Sequence, residues 1–261
     1  MDPVVSIITP AYNAGKYITK TINSVLAQSF EEWELLIIDD YSSDNTAEVV
    51  LTLLEKDNRI KYVRMPMNGG PVKARNHGIS ISIGRFIAFL DSDDSWFPNK
   101  LEVQVKFMLE HNIALSYTSY YADNGITRIL RKVPQRLSYN QLLKKCHIGC
   151  LTAMYDADQI GKPAMPDFPK RHDWAYWLGM LSGGGYAYGI LEPLATYTLR
   201  QTSLSANKID LVKHNWRVFK MYEGNGIKAH YKFAIFMFVN VWYTVSEKIG
   251  LRLNALFRKS A

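Results

Sequence analysis

The first hundred residues switch repeatedly between two hydrophobic patterns. VVSIITP (4–10), ELLIIDD (34–40), IKYVRM (60–65) and RFIAFLD (85–91) are short apolar runs rich in β-branched residues. Such runs read as strands buried on both faces. Between the first two, Ile18, Ile22, Val25 and Leu26 recur at i, i+4, i+7 and i+8, one helix face, with helix-start chemistry at Asn13. DNTAEVVLTLLEKD is a second amphipathic helix that Asp44 or Asn45 can cap. GGPVKARNHGISIS is a third, with Pro71 in its first turn, where a missing N–H costs nothing. The order β-α-β-α-β-α-β predicts an α/β fold: a Rossmann-like, mainly parallel sheet with helices on both faces.

The pattern then loosens. FPNKLEVQVKFMLE is helical, and IALSYTSYYAD with ITRILRKVP predicts a hairpin turning at Asp123-Asn124-Gly125. LSYNQLLKKC and DWAYWLGMLSGG are short helices, the second stopping at Gly183-Gly184-Gly185, and YAYGILEPLATYTLR is strand-like. From Asn207 the chain is helical and basic. FAIFMFVNVWYTV (233–245) is its most apolar segment, too short at thirteen residues to span a bilayer, which needs about 20. It is a buried or interfacial helix. Beyond it, Ile249, Leu253, Leu256 and Phe257 form an apolar stripe among Lys248, Arg252, Arg258 and Lys259. That pattern suits a membrane-surface helix, and equally a helix packed on its own domain with a solvated basic face.

Charge sharpens this division. Residues 1–205 hold 21 Lys+Arg against 21 Asp+Glu, whereas residues 206–261 hold 10 against 3. The whole net charge of +7 therefore lies in the tail, which points to an anionic surface there. No secretory n-region or apolar h-region opens the chain, so a cytoplasmic location with reduced Cys146 and Cys150 is expected. These cysteines flank His147, but no second ligand pair follows at zinc spacing.

Candidate chemistry gathers at strand ends, where open α/β sheets bind ligands. Pro10, Tyr12 and Asn13 follow the first strand, Asp39 and Asp40 the second, and Asp91, Asp93 and Asp94 the fourth. Three carboxylates in four residues repel one another unless a cation or solvent relieves them. The dinucleotide G-x-G-x-x-G and the Walker A lysine loop are both missing after the first strand. Lys73 and Arg75, in NGGPVKARN, can reach a phosphate or simply cover a helix face.

VSIITPAYN, ELLIIDDYSSDNT, GGPVKARNHGI and GRFIAFLDSDDSW, in this order and spacing, resemble the inverting nucleotide-sugar glycosyltransferases of family 2, which have the GT-A fold. The likeness spans roughly residues 4–205. EPLATYTLRQTSLSANK resembles the teichuronic-acid, capsule and O-antigen enzymes within that family. The resemblance implies that Pro10, Tyr12 and Asp40 hold the uracil and ribose, with Asp39 holding the sheet edge. It places Arg75, Asp91 and Ser92 on the nucleotide, and makes Asp91 and Asp93 the D-x-D acids that carry Mg²⁺ or Mn²⁺ on the diphosphate, as suits hard oxygen ligands. Asp94 is implied at the donor sugar, and Arg200 on the diphosphate with Ser203 and Ser205 in the same loop. Asp173 is implied as the catalytic base, although His172 stands where the family usually has Glu. A carboxylate at its ordinary pKa of about 4 is ionised at neutral pH and can take a hydroxyl proton. Trp174 and Trp177 are either core or a platform for a sugar ring.

The expected organisation is a GT-A domain over 1–205, with 1–100 the nucleotide-binding half and 101–205 the acceptor-binding half, followed by a basic amphipathic helical tail over 206–261. The expected activity is metal-dependent inverting transfer from a UDP-sugar to a hydroxyl of a lipid-linked oligosaccharide in surface polysaccharide synthesis. The enzyme would sit peripherally on the inner face of the cytoplasmic membrane, its tail on anionic lipid, with no nucleic-acid partner. Rival readings are transfer to a polyprenyl phosphate carrier, an aspartate-nucleophile phosphatase, or a UDP-sugar binding module without turnover. The phosphatase reading expects the D-x-D after the first strand, and here it follows the fourth.

Overall fold

A computed structural model of the chain describes residues 2–199 and 208–242. Strands and helices alternate through its first part as the hydrophobic pattern predicts: β1 (Val5–Ala11), α1 (Ile18–Leu26), β2 (Trp33–Asp39), α2 (Thr46–Leu54), β3 (Ile60–Arg64), α3 (Pro71–Ile81) and β4 (Phe86–Phe89). The chain continues through β5 (Ser95–Trp96), α4 (Lys100–Glu110), β6 (Leu115–Asp123), β7 (Arg128–Arg131), β8 (Arg136–Ser138), α5 (Tyr139–Lys144), β9 (Met154–Asp156), α6 (Ala157–Ile160), α7 (His172–Leu181), β10 (Tyr186–Thr198) and α8 (Lys208–Glu223). Residues 227–242 are also helical.

One sheet runs through the molecule in the order β3-β2-β1-β4-β9-β6-β10-β5, with β7 on β6 and β8 on β10. β1 pairs in parallel with β2 and β4, β2 with β3, and β10 with β6. β9 is antiparallel to both β4 and β6 and joins the two parallel parts. The central strands of the sheet, β1, β2 and β4, are buried on both faces. Ile8, Leu36, Ile38, Ile87 and Phe89 face one core, with α3, α5, α7 and α8. Their alternating neighbours Ile7, Leu35, Ile37 and Ala88 face the other, with α1, α2 and α4.

Local chemistry explains the boundaries that matter for the site. The predicted helix start at Asn13 is corrected: α1 begins at Ile18, and Asn13 has φ 48°. Its Oδ1 accepts from Ser43 N (2.9 Å), while its own N–H donates to Ser42 Oγ (3.0 Å). The loops after β1 and β2 are thereby stitched together. Asn45 is the cap position of α2, but Asp44 does the bonding, accepting from Thr46 N (3.0 Å) and Gly15 N (3.1 Å). The hairpin at residues 123–125 forms as predicted, Asp123 Oδ1 accepting from Gly125 N (2.7 Å).

α3 lies unusually close to the sheet. A Cβ on Gly78 would come 2.5 Å from Ile8 Cγ2, so only glycine permits this approach. The close packing carries Arg75, one turn earlier, to the carboxyl edge of β4. At the other end of the chain, α8 and the helical residues 227–242 fold onto α7. Trp174 stacks on Phe236 (5.0 Å between centroids) and meets Phe219 edge-on (5.8 Å). Trp174 and Trp177 are both fully buried. They are core, which removes them as sugar platforms.

Candidate active site

Three strand ends and one helix start build the site. After β1, Pro10 is buried and Tyr12 is 54% exposed, its ring open for stacking. After β2, the adjacent aspartates do different work. Asp39 is fully buried and accepts from Ser42 N (2.8 Å) and Tyr62 OH (2.5 Å), tying β2 to β3. Asp40 is also buried, and its two carboxylate oxygens accept from Gly69 N and Gly70 N, each at 2.7 Å. Gly70 precedes Pro71 with φ 85°, a left-handed conformation that glycine adopts freely. Asp40 therefore holds the entry to α3 and, through it, Arg75.

After β4, the chain turns at once. Asp94 N donates to Asp91 O (3.0 Å). Asp91, Ser92 and Asp93 are partly exposed, while Asp94 is fully buried. Asp94 Oδ1 accepts from Thr198 N (2.8 Å), and Asp93 O accepts from Thr198 Oγ1 (2.6 Å). Thr21 Oγ1 donates to Asp94 O (2.7 Å). Asp94, expected to face the donor sugar, fastens the acidic turn to the end of β10 through Oδ1. Behind the turn, Trp96 donates its indole N–H to Leu151 O (2.8 Å), and the buried Lys100 ammonium sits 4.1 Å from the Trp96 ring centroid. Burial pulls the Lys100 pKa down to about 7.

The four-part cluster Asp91–Arg75–His172–Asp173 connects these elements. The almost fully buried Arg75 donates from Nη2 to Asp91 Oδ1 and from Nη1 to His172 Nε2 (2.9 Å). A guanidinium can only donate. His172 Nε2 is therefore the acceptor and its proton is on Nδ1, which donates to Phe168 O (3.2 Å). Burial, then the neighbouring Arg75 charge, lowers the His172 pKa, in keeping with this neutral tautomer. Burial works against the Arg75 charge too. The fields of Asp91 and Asp173 are among those that outweigh it, and its pKa stands above the ordinary value. Asp173, next to His172, is in the first turn of α7, where a helix N-terminus favours a negative charge. Arg171, just before, takes φ 66°.

Of the predicted residues, the fold thus brings Asp91, Arg75 and Asp173 together, with Asp40 one loop behind. Arg200, Ser203 and Ser205 lie outside the described residues. His172 and Thr198 were not assigned roles from sequence. The substitution of His for the usual Glu was the available signal for the first. Nothing in the pattern marked the second.

Among the described residues, no three His, Cys, Asp or Glu side chains group to hold a metal ion. Cys146 and Cys150 are free thiols, and burial pushes Cys146 up to about 12. The donor set at the acidic turn fits a cation of another kind. Mg²⁺-like ions are commonly held by one or two carboxylates, with substrate phosphates and water completing the shell. Asp91 and Asp93 offer such oxygens, and Arg75 shares Asp91.

Fold and site together define an enzyme built to act at the carboxyl edge of a mixed α/β sheet, with two acidic centres held around a buried arginine. Residues 6–159 match the glycosyl transferase family 2 model, and the chain belongs to that family. It is 42% identical over 241 residues, 91% of this chain and 94% of the other, to TuaG of Bacillus subtilis, named as a glycosyltransferase of teichuronic acid biosynthesis. It is 39% identical over 242 residues, 92% and 94% of the two chains, to WfgD of Escherichia coli, named as a UDP-Glc:α-D-GlcNAc-diphosphoundecaprenol β-1,3-glucosyltransferase. Among solved structures, Staphylococcus aureus TarS 1–349 in complex with UDP-GlcNAc superposes with a TM-score of 0.69 at 23% identity, covering 91% of this chain and 72% of that one. The expected GT-A architecture is shared with that neighbour.

Proposed function

We propose that this family 2 glycosyltransferase moves a sugar from a UDP-sugar to a hydroxyl of a lipid-linked, diphosphate-bearing glycan, with inversion, during surface polysaccharide synthesis. The observation that carries the reading is the junction at Arg75, where the acid that ends β4 and the helix start that bears Asp173 meet. The name of WfgD supports the acceptor class and the uridine nucleotide, and that of TuaG supports a role in polysaccharide synthesis. On this reading the protein works peripherally at the inner membrane surface, with a GT-A domain over 1–205 and a basic tail over 206–261.

Tyr12 stacks on the uracil, which Pro10 flanks, and Asp40 fixes the loop that faces the nucleotide. Arg75 and Ser92 line the nucleotide side of the acidic turn. The acceptor hydroxyl loses its proton to Asp173 as its oxygen bonds to the anomeric carbon. The bond from that carbon to the diphosphate oxygen breaks, and UDP leaves with the electron pair. One displacement inverts the centre. Mn²⁺ or Mg²⁺ held by Asp91 and Asp93 would supply charge neutralisation for the departing diphosphate. Arg200, two residues after β10 in sequence, would add to it.

The test is Asp173→Asn, with UDP release and product formation measured against a lipid-linked acceptor. Loss of a general base costs about 10²–10⁴ in rate. A folded Asp173→Asn protein that retains near-wild-type transfer removes Asp173 from this role.

A further inference from the structure

Helical residues 227–242 are apolar on both sides. On the inner side, Phe236 stacks on Trp174, and Phe233 meets Phe219 at 5.1 Å. On the outer side, Ile227, Tyr231, Phe238, Val241 and Trp242 follow helical spacing and are exposed, Phe238 by 71% and Trp242 by 65%. An exposed apolar stripe on a helix whose other side is already packed in the core marks an interaction surface. No helix among the described residues is long and apolar enough to cross a membrane.

The charge on α8, the helix packed against this one through Trp216 and Phe219, selects the occupant of the stripe. Lys213, Arg217 and Lys220 are exposed at i, i+4 and i+7 on α8, and Lys228 is exposed beside Ile227. Glu223 is the single acid between residues 211 and 242, and it is bonded to Lys232 (2.5 Å). A second copy would bring the same positive face against this one, and like charges disfavour that pairing. An anionic bilayer complements both features. Beyond Trp242, Val245, Ile249, Leu253 and Leu256 keep the same spacing in sequence.

We propose that the outer face of residues 227–242 lies in the plane of an anionic bilayer surface, with the exposed aromatics in the headgroup boundary and the α8 cations over the lipid phosphates. Docking therefore begins before the tail segment at 249–257 to which the sequence pattern pointed. The proposal rests on the lipid-linked acceptor for its purpose. Phe236, on the buried side of the docking helix, stacks on Trp174, the residue after Asp173. The membrane face and the candidate base are thus separated by a single helix layer.

Flotation of the full chain with vesicles of phosphatidylcholine, with and without one-quarter phosphatidylglycerol, tests this. The wild type should float with the anionic vesicles and far less with the neutral ones. Phe238→Glu with Trp242→Glu should lower partition at least tenfold, while the circular dichroism melt stays unchanged. Lys213→Glu, Arg217→Glu and Lys220→Glu are all at exposed positions. At about fivefold per near-surface charge, loss of the three cations alone lowers anionic binding about a hundredfold, and the three acids that replace them lower it further. Wild-type flotation by either variant, or none by the wild type, overturns the proposal. So does a dimer in sedimentation that Phe238→Glu with Trp242→Glu converts to monomer, which would put a second copy on this face. Transfer to a soluble acceptor analogue is read in parallel. Flotation without any transfer sinks the proposed reaction and leaves the docking face standing, and transfer without flotation does the reverse.

Discussion

Asp40→Asn is a nearly isosteric change that separates two roles of one carboxylate. Asp40 is buried, and its oxygens receive the N–H groups of Gly69 and Gly70 at 2.7 Å each. An asparagine offers one oxygen and one NH₂. Whichever way it turns, one glycine N–H faces another donor. A hydrogen bond to a charged group contributes about 1.5–3 kcal/mol, and an unmade buried donor costs about 1–3 kcal/mol. Gly69 and Gly70 are only partly buried, so water offsets some of the loss. The expected net destabilisation is about 2–3 kcal/mol. In a chain of this size that lowers Tm by roughly 5–10 °C. Urea denaturation without nucleotide measures it, and Asp40→Ala, which loses both acceptors, should be worse. An Asp40→Asn midpoint within about 0.5 kcal/mol of wild type would refute the anchoring role. If UDP affinity fell while stability held, the carboxylate would serve the ligand and not the α3 entry.

Two further substitutions probe groups whose protonation the structure fixes. His172→Leu should leave the Arg75 Nη1–H without its acceptor and weaken UDP-sugar binding about tenfold, whereas His172→Gln, which keeps an acceptor, should restore most of it; calorimetric titration compares them. His147 has its pKa lowered from 6.5 to about 4 by burial and then by Lys145, so between these values the unfolded chain takes a proton that the folded chain refuses. Stability should therefore fall as pH drops from about 6.5 to about 4, and His147→Gln should flatten that part of a urea-midpoint profile.

The parallel part of the sheet was legible because each strand is an apolar run long enough to have no other use, and each helix shows one face. β5, β8 and β9 were not, since two or three residues carry no period. β9 owes its place to pairing with β4 and β6, which are distant in sequence. The acids at the strand ends could be located but not told apart. Asp39, Asp40 and Asp94 look alike in sequence; what separates them is which backbone N–H lies within 3 Å, and that is set by loops from elsewhere. Asn13 misled for a related reason. It has the side chain of a helix cap, and that side chain is used on the neighbouring loop. In residues 227–242 apolar residues recur on every face beside Lys228, His230, Lys232 and Asn240, so the pattern could not say which side is buried.

The pairing of Arg75 with Asp91 has a consequence for the order of events at the acidic turn. Asp91 already has a resident counter-ion that folding has put in place. A bare divalent ion therefore approaches charge that is partly balanced. An ion carried by a diphosphate brings negative charge of its own, which the guanidinium can share. Cation and nucleotide should then favour each other's arrival, and thermodynamics makes the favour reciprocal: the factor by which the nucleotide tightens the ion is the factor by which the ion tightens the nucleotide.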